Sequence, residues 1–101
     1  MLVLDLSGNI IENIHEKAFS QIGSLRHLDL QTNQLYKFPG KSFKNCTLLE
    51  TLNIGQNNFI AIGESAFTNL KTLKSINISG CPSLRSIKKK SLEKQACVHT
   101  N

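Results

Sequence analysis

The chain has 101 residues, 40% of them apolar and 19% charged, with a formal net charge of +5. That composition suits one folded domain and leaves no room for a second. One Tyr, five Phe and no Trp argue against a base-stacking nucleic-acid platform, and no stretch approaches the about 18 consecutive apolar residues of a membrane-spanning helix.

In chain order the sequence repeats itself in blocks that start at Met1, Leu25, Leu49 and Leu73, a spacing of 24 residues. Self-similarity at a fixed period is the mark of a repeat architecture. Each block opens with a short alternating stretch, Leu4-Asp5-Leu6, Leu28-Asp29-Leu30, Leu52-Asn53-Ile54 and Ile76-Asn77-Ile78. Alternation of period two puts both apolar side chains on one face of a strand. Asn9, Asn33, Asn57 and Cys81 follow, where the strand turns a corner. A side-chain amide there both donates to and accepts from the backbone of the adjacent coil, so the asparagines are expected to stack as a ladder. Then come Ile11, Leu35, Phe59 and, after one inserted residue, Leu84, followed by Ile14, Phe38, Ile62 and Ile87. Late in each block stand Phe19, Phe43, Phe67 and Leu92, expected to stack as a second spine on the outer side. The last column is Ile22, Cys46 and Leu70, broken by polar Gln95.

This pattern resembles the leucine-rich repeat family, L-x-x-L-x-L-x-x-N/C-x-L, over nearly the whole chain from Met1 to about Leu92. The block length and late Phe look like the typical extracellular subclass, as in Toll-like or chaoptin-like receptor and adhesion ectodomains. The resemblance implies an α/β repeat fold: a right-handed solenoid of four repeats, with short parallel strands on the concave face. The repeats are expected at 1–24, 25–48, 49–72 and 73–92, the last with one insertion, leaving 93–101 as a tail. Both ends lack recognisable caps, which repeat arrays normally need. Nothing capping precedes Met1, and Ser91 to Asn101 has no Cys-rich pattern. The apolar Leu2 and Val3 would then lie on an unpaired edge strand. The bare ends predict either a segment of a longer chain or self-association through those ends. The Met1–Leu4 start meets Asp5 with no basic region before it, so it does not read as a signal peptide.

The function implied is protein–protein recognition through the concave face, as part of an extracellular receptor or adhesion protein. The alternative is an intracellular scaffold or regulatory protein with reduced thiols. The partner would be a protein ligand or co-receptor, with no cofactor, metal or nucleic acid. The candidate partner-binding residues lie between the core positions: Arg26, His27, Asp29, Gln31, Glu50, Asn53, Gln56, Lys74 and Asn77. One column, Asp5, Asp29, Asn53 and Asn77, is a run of short acceptors at about 4.8 Å spacing across paired strands.

Catalysis has little support. His27 and Asp29 share the concave face with Thr51 and Ser75, yet that face is open and carries no nucleophile elbow. Cys97-x-His99 is one pair without a second at zinc spacing. Three cysteines do not close a disulfide framework within one chain. Cys46 falls in a core column, while Cys81 and Cys97 form a possible disulfide. Two glycosylation acceptor tripeptides occur, Asn45-Cys46-Thr47 and Asn77-Ile78-Ser79. Lys88, Lys89 and Lys90, with Arg85 and Lys94, form a basic cluster on the return segment of the last repeat, either a solvated loop or a polyanion contact.

Overall fold

The computed structural model describes residues 3–87, 93 and 95–100. Leu2, Lys88 to Lys90, Leu92 and Lys94 lie outside the described residues, and so do the expectations placed on them. Among the described residues seven strands follow one another: β1 (Val3–Asp5), β2 (His27–Asp29), β3 (Thr51–Asn53), β4 (Ala61–Ile62), β5 (Ser75–Asn77), β6 (Ser86–Ile87) and β7 (Cys97–His99). Five of them make one parallel sheet in the order β1-β2-β3-β5-β7. The register is a straight continuation from turn to turn: Leu4 pairs with Leu28, Leu28 with Leu52, Leu52 with Ile76, and Ile76 with Val98. β4 and β6 form a separate two-stranded parallel pair. The result is a parallel-strand solenoid of about four turns.

Each strand of the main sheet is three residues long, with its middle residue on the core side. Leu28, Leu52 and Ile76 are buried, and their flanking residues are half exposed. Leu25, Leu49, Leu73, Leu30, Ile54 and Ile78 line the same interior. Leu4, Leu6, Ile11 and Ile14 of the first turn are only partly buried, as is Val98 of the last. No single turn encloses its own apolar residues, so burial is complete only between neighbours.

The asparagine ladder forms. Asn33 Nδ2 donates to the Leu6 carbonyl of the preceding turn and to Leu30 of its own, both at 3.0 Å. Its Oδ1 accepts from the Ile11 N–H at 3.0 Å. Asn57 repeats this with Leu30, Ile54 and the Leu35 N–H. Cys81 keeps only the weaker half of the pattern, its Sγ lying 3.8 Å from the Ile54 carbonyl. Immediately before the ladder the chain enters the left-handed region in every turn, at Gly8 (φ 70°), Thr32 (59°), Gln56 (53°) and Gly80 (69°).

Among the described residues two 3-10 turns lie on the outer side, Gly40–Phe43 and Glu64–Phe67. Gly40 is required between them, since a Cβ there would stand 2.8 Å from the Ala66 carbonyl oxygen. Phe19 and Phe43 stack with centroids 6.0 Å apart. Between Phe43 and Phe67 stands Phe38, edge-on to both at 5.9 and 5.2 Å, which also meets Phe59 at 6.2 Å. Residues from three sequence columns therefore share one aromatic cluster.

The segment expected as a tail carries β7, a fifth strand in the main sheet. Gln95, which broke an apolar column in the sequence, donates through Nε2 to the carbonyls of Leu70 and Leu73. Its amide adds a donor to the Leu70 carbonyl, which also accepts the Leu73 N–H, and supplies one to the Leu73 carbonyl. Ala96 is then buried and Val98 takes the core position of the strand.

Candidate interaction surface

The outward positions of the sheet form five columns. One runs Val3, His27, Thr51, Ser75, Cys97, and a second Asp5, Asp29, Asn53, Asn77, His99. Arg26, Glu50 and Lys74 precede the strands, and Gln31, Gly55, Ser79 and Thr32, Gln56, Gly80 follow them. The structure thus brings onto one sheet face all nine residues expected to meet a partner, and adds Cys97 and His99 of β7.

The column of short acceptors has an internal task. Asp5, Asp29, Asn53 and Asn77 each accept, through Oδ1, the backbone N–H two residues on, at 2.9, 2.9, 3.1 and 2.9 Å. These bonds turn the chain as it leaves the strand. Ser7 and Ser79 add hydroxyl bonds to the same oxygens of Asp5 and Asn77. The two Ser7 bonds hold the Asp5 carboxyl below its ordinary range.

Neighbouring turns are tied together across the face. Arg26 Nη1 donates to Glu50 Oε2 at 2.6 Å, and Lys74 Nζ lies 3.8 Å from Glu50 Oε1. The hydrogen bond from Arg26, ahead of the charge of Lys74, holds the Glu50 carboxyl below its usual value. Further along the strands Asn53 Nδ2 donates to Gln31 Oε1 at 2.7 Å, and Gln31 Nε2 to Gln56 Oε1 at 3.3 Å. Thr32 Oγ1 donates to the same Gln56 oxygen at 2.6 Å. Two strained residues, Thr32 and Gln56, are thus locked to one another. They share a column with Gly8 and Gly80, and only those two glycines announce the left-handed conformation by residue type.

His27 Nδ1 and Thr51 Oγ1 are 2.7 Å apart. Asp29 stands on the same strand but serves the Gln31 N–H. The face therefore pairs an imidazole with a hydroxyl, while the carboxylate that would orient the ring is engaged elsewhere. Cys97 and His99 sit at the edge of the same sheet, and among the described residues no group of three or more His, Cys, Asp or Glu could hold a metal ion.

All three cysteines are free thiols. The expected pairing of Cys81 with Cys97 is not made, because the register sets them apart. Cys97 pairs with Ser75, whereas Cys81 lies at the corner six residues beyond Ser75. Cys46 is buried, and burial pushes its thiol up. Of the glycosylation candidates, Asn45 is exposed, and Asn77 is half buried on the sheet with its side-chain oxygen engaged.

Among the described residues no helix is long and apolar enough to cross a membrane. No curated protein gives a significant match to the chain. The family described as BspA type leucine rich repeat region matches residues 4–99 in six copies. That span includes β7. Repeats of this kind are in general surfaces for protein–protein interaction. The chain belongs to the BspA-type leucine-rich repeat family.

Proposed function

We propose that this chain is a non-enzymatic recognition array whose concave face receives a protein ligand or co-receptor, within an extracellular or cell-surface receptor or adhesion protein of the Toll-like or chaoptin-like kind. The observation that carries the reading is the cross-strand bonding of Arg26 with Glu50 and of Gln31 with Asn53 and Gln56. Side chains already ordered lose little further entropy when a partner docks, which favours a binding surface over a merely solvated one. The exposed acceptor at Asn45 supports the extracellular setting, and a glycan on Asn77 would direct the partner towards the first three strands. The second reading, an intracellular scaffold, is favoured by the three free thiols.

Photo-crosslinking in cells that make the chain tests the surface. A crosslinker replacing Asn53 is expected to give a discrete protein adduct, whereas one replacing exposed Lys71 on the outer side gives none. Adducts from Lys71 alone, or equal ones from both, overturn the reading. Glycosidase treatment tests the setting: a mass shift abolished by Asn45→Gln supports the secretory pathway, and an unshifted cytosolic chain supports the scaffold.

A further inference from the structure

The basic charge of the chain is not spread evenly over the molecule. On the sheet face Arg26 and Lys74 both lie against Glu50. On the outer side Lys17, Lys37, Lys41 and Lys44 are all exposed, and among the described residues none of their ammonium groups has an ion pair or a hydrogen bond.

Three of these four are brought together by the fold. Lys41 belongs to the 3-10 turn Gly40–Phe43, and Lys44 caps its end. Side chains three apart on a 3-10 turn eclipse one another, so the two ammonium groups leave on one side. Lys17 holds the place of Lys41 in the preceding turn, 24 residues earlier. Lys17, Lys41 and Lys44 line one hollow of about 430 Å³ with Glu16, Asn45 and Asn69. Three cations stand there against one carboxylate, and Glu16 forms no ion pair with any of them among the described residues. Like charges held side by side disfavour the fold that holds them, and no described side chain offsets these.

A second hollow, of about 620 Å³, shares Glu16, Lys41 and Asn69 with the first. Its walls include Lys37 and the apolar Ile14, Phe38 and Ile62, together with Tyr36, which is 48% exposed. Lys17 and Lys44 line only the first hollow and Tyr36 only the second. The joined groove is therefore cationic towards one end and aromatic towards the other.

We infer that this groove binds a sulfated polysaccharide, a ligand additional to the protein received by the concave face. Sulfates along the chain meet Lys17, Lys41, Lys44 and Lys37, and the apolar face of a sugar ring lies on the ring of Tyr36. The type of cation selects this ligand among polyanions. An arginine fork matches a carboxylate or phosphate through two parallel bonds, whereas an ammonium is a point charge that imposes no such geometry. A row of lysines thus suits sulfates at variable places on a flexible chain. The two arginines of the sequence, Arg26 and Arg85, do not line the groove. A nucleic acid would ask for several exposed rings to stack its bases, and the groove offers Tyr36 alone. Asn45 stands in the lysine hollow, so a glycan on it would cover the site.

Affinity for heparin tests the groove, with Asn45→Gln as the background so that no glycan covers it. Replacing Lys17, Lys41 and Lys44 with Ala is expected to weaken binding at least about tenfold at physiological salt and to flatten its salt dependence. Replacing Lys88, Lys89 and Lys90 with Ala removes the same charge and should change binding by less than about threefold, since the effect follows contacts rather than net charge. Tyr36→Ala should weaken binding severalfold at an unaltered salt slope, because it removes no charge. All three variants should keep the melting temperature of the background chain. Absence of binding by the background chain overturns the proposal, and so does an equal loss from the two lysine triples. Equal affinity for polyglutamate or for duplex DNA overturns the choice of a sulfated polysaccharide. Unaltered binding by Tyr36→Ala overturns the sugar contact.

Discussion

Asn57 joins two turns through one carboxamide: its Oδ1 accepts the Leu35 N–H at 3.0 Å while its Nδ2 reaches the Leu30 carbonyl at 3.1 Å. Asn57 is 1% exposed, so water does not replace these bonds when they are removed. Asn57→Ala is expected to cost about 2–4 kcal/mol, the penalty for leaving several buried backbone groups unsatisfied. Asn9→Ala removes bonds that water replaces and should cost under about 1 kcal/mol. Thermal unfolding of the two variants checks the contrast.

The left-handed column separates strain from crowding. A side chain at Gly8 meets nothing within 4 Å, whereas a Cβ at Gly80 would stand 2.9 Å from Gln56 Cγ. Gly8→Ala should destabilise by about 1 kcal/mol, the cost of a left-handed residue with a Cβ. Gly80→Ala should cost more, because Gln56 is also held by Thr32 and Gln31. Urea denaturation of both variants measures the difference.

Acid should weaken the contact of Glu50 with Arg26. The folded carboxyl is depressed below its ordinary value of 4.5, so the stabilisation is present above that pH and is lost as pH falls through the folded value. Glu50→Gln removes the titrating group. Its melting temperature should fall below that of the unsubstituted chain at neutral pH, and the gap should narrow as the medium is acidified below 4.5. A gap that stays constant through that range contradicts the assignment.

The thiols should react in the order of their exposure. Cys97 is exposed, Cys81 half buried and Cys46 buried, and a buried thiol raised by desolvation is a poor source of thiolate. Aromatic disulfide reagent is expected to titrate Cys97 first and Cys46 only when the chain unfolds. Early modification of Cys46, read by peptide mass spectrometry, contradicts this packing.

Gly40 tests the close approach of the two outer 3-10 turns. Alanine there meets the Ala66 carbonyl oxygen at 2.8 Å, a backbone atom that does not move aside. Gly40→Ala is therefore expected to cost about 1–3 kcal/mol, as overpacking does, visible as a lower unfolding midpoint at unchanged secondary structure.

Periodicity alone located most of the interior. Leu28, Leu52 and Ile76, and the asparagines at 33 and 57, occupy the places that a repeated column assigns them. In a solenoid each residue of a column meets the same neighbours in the next turn, so local pattern and tertiary contact coincide. The concave residues from Arg26 to Asn77 were legible for the same reason. The tertiary structure decided what this equivalence does not cover. Cys97–His99 carries a single apolar residue, Val98, and becomes a strand only because β5 offers it an open edge. Thr32 and Gln56 are left-handed although their residue types do not ask for it, held by the turn around them and by their mutual bond. Phe38 stands edge-on to Phe43 and Phe67 of another column, since ring size and the space between two turns choose its neighbours. Cys81 and Cys97 stay apart because register, not composition, sets the distance between two side chains.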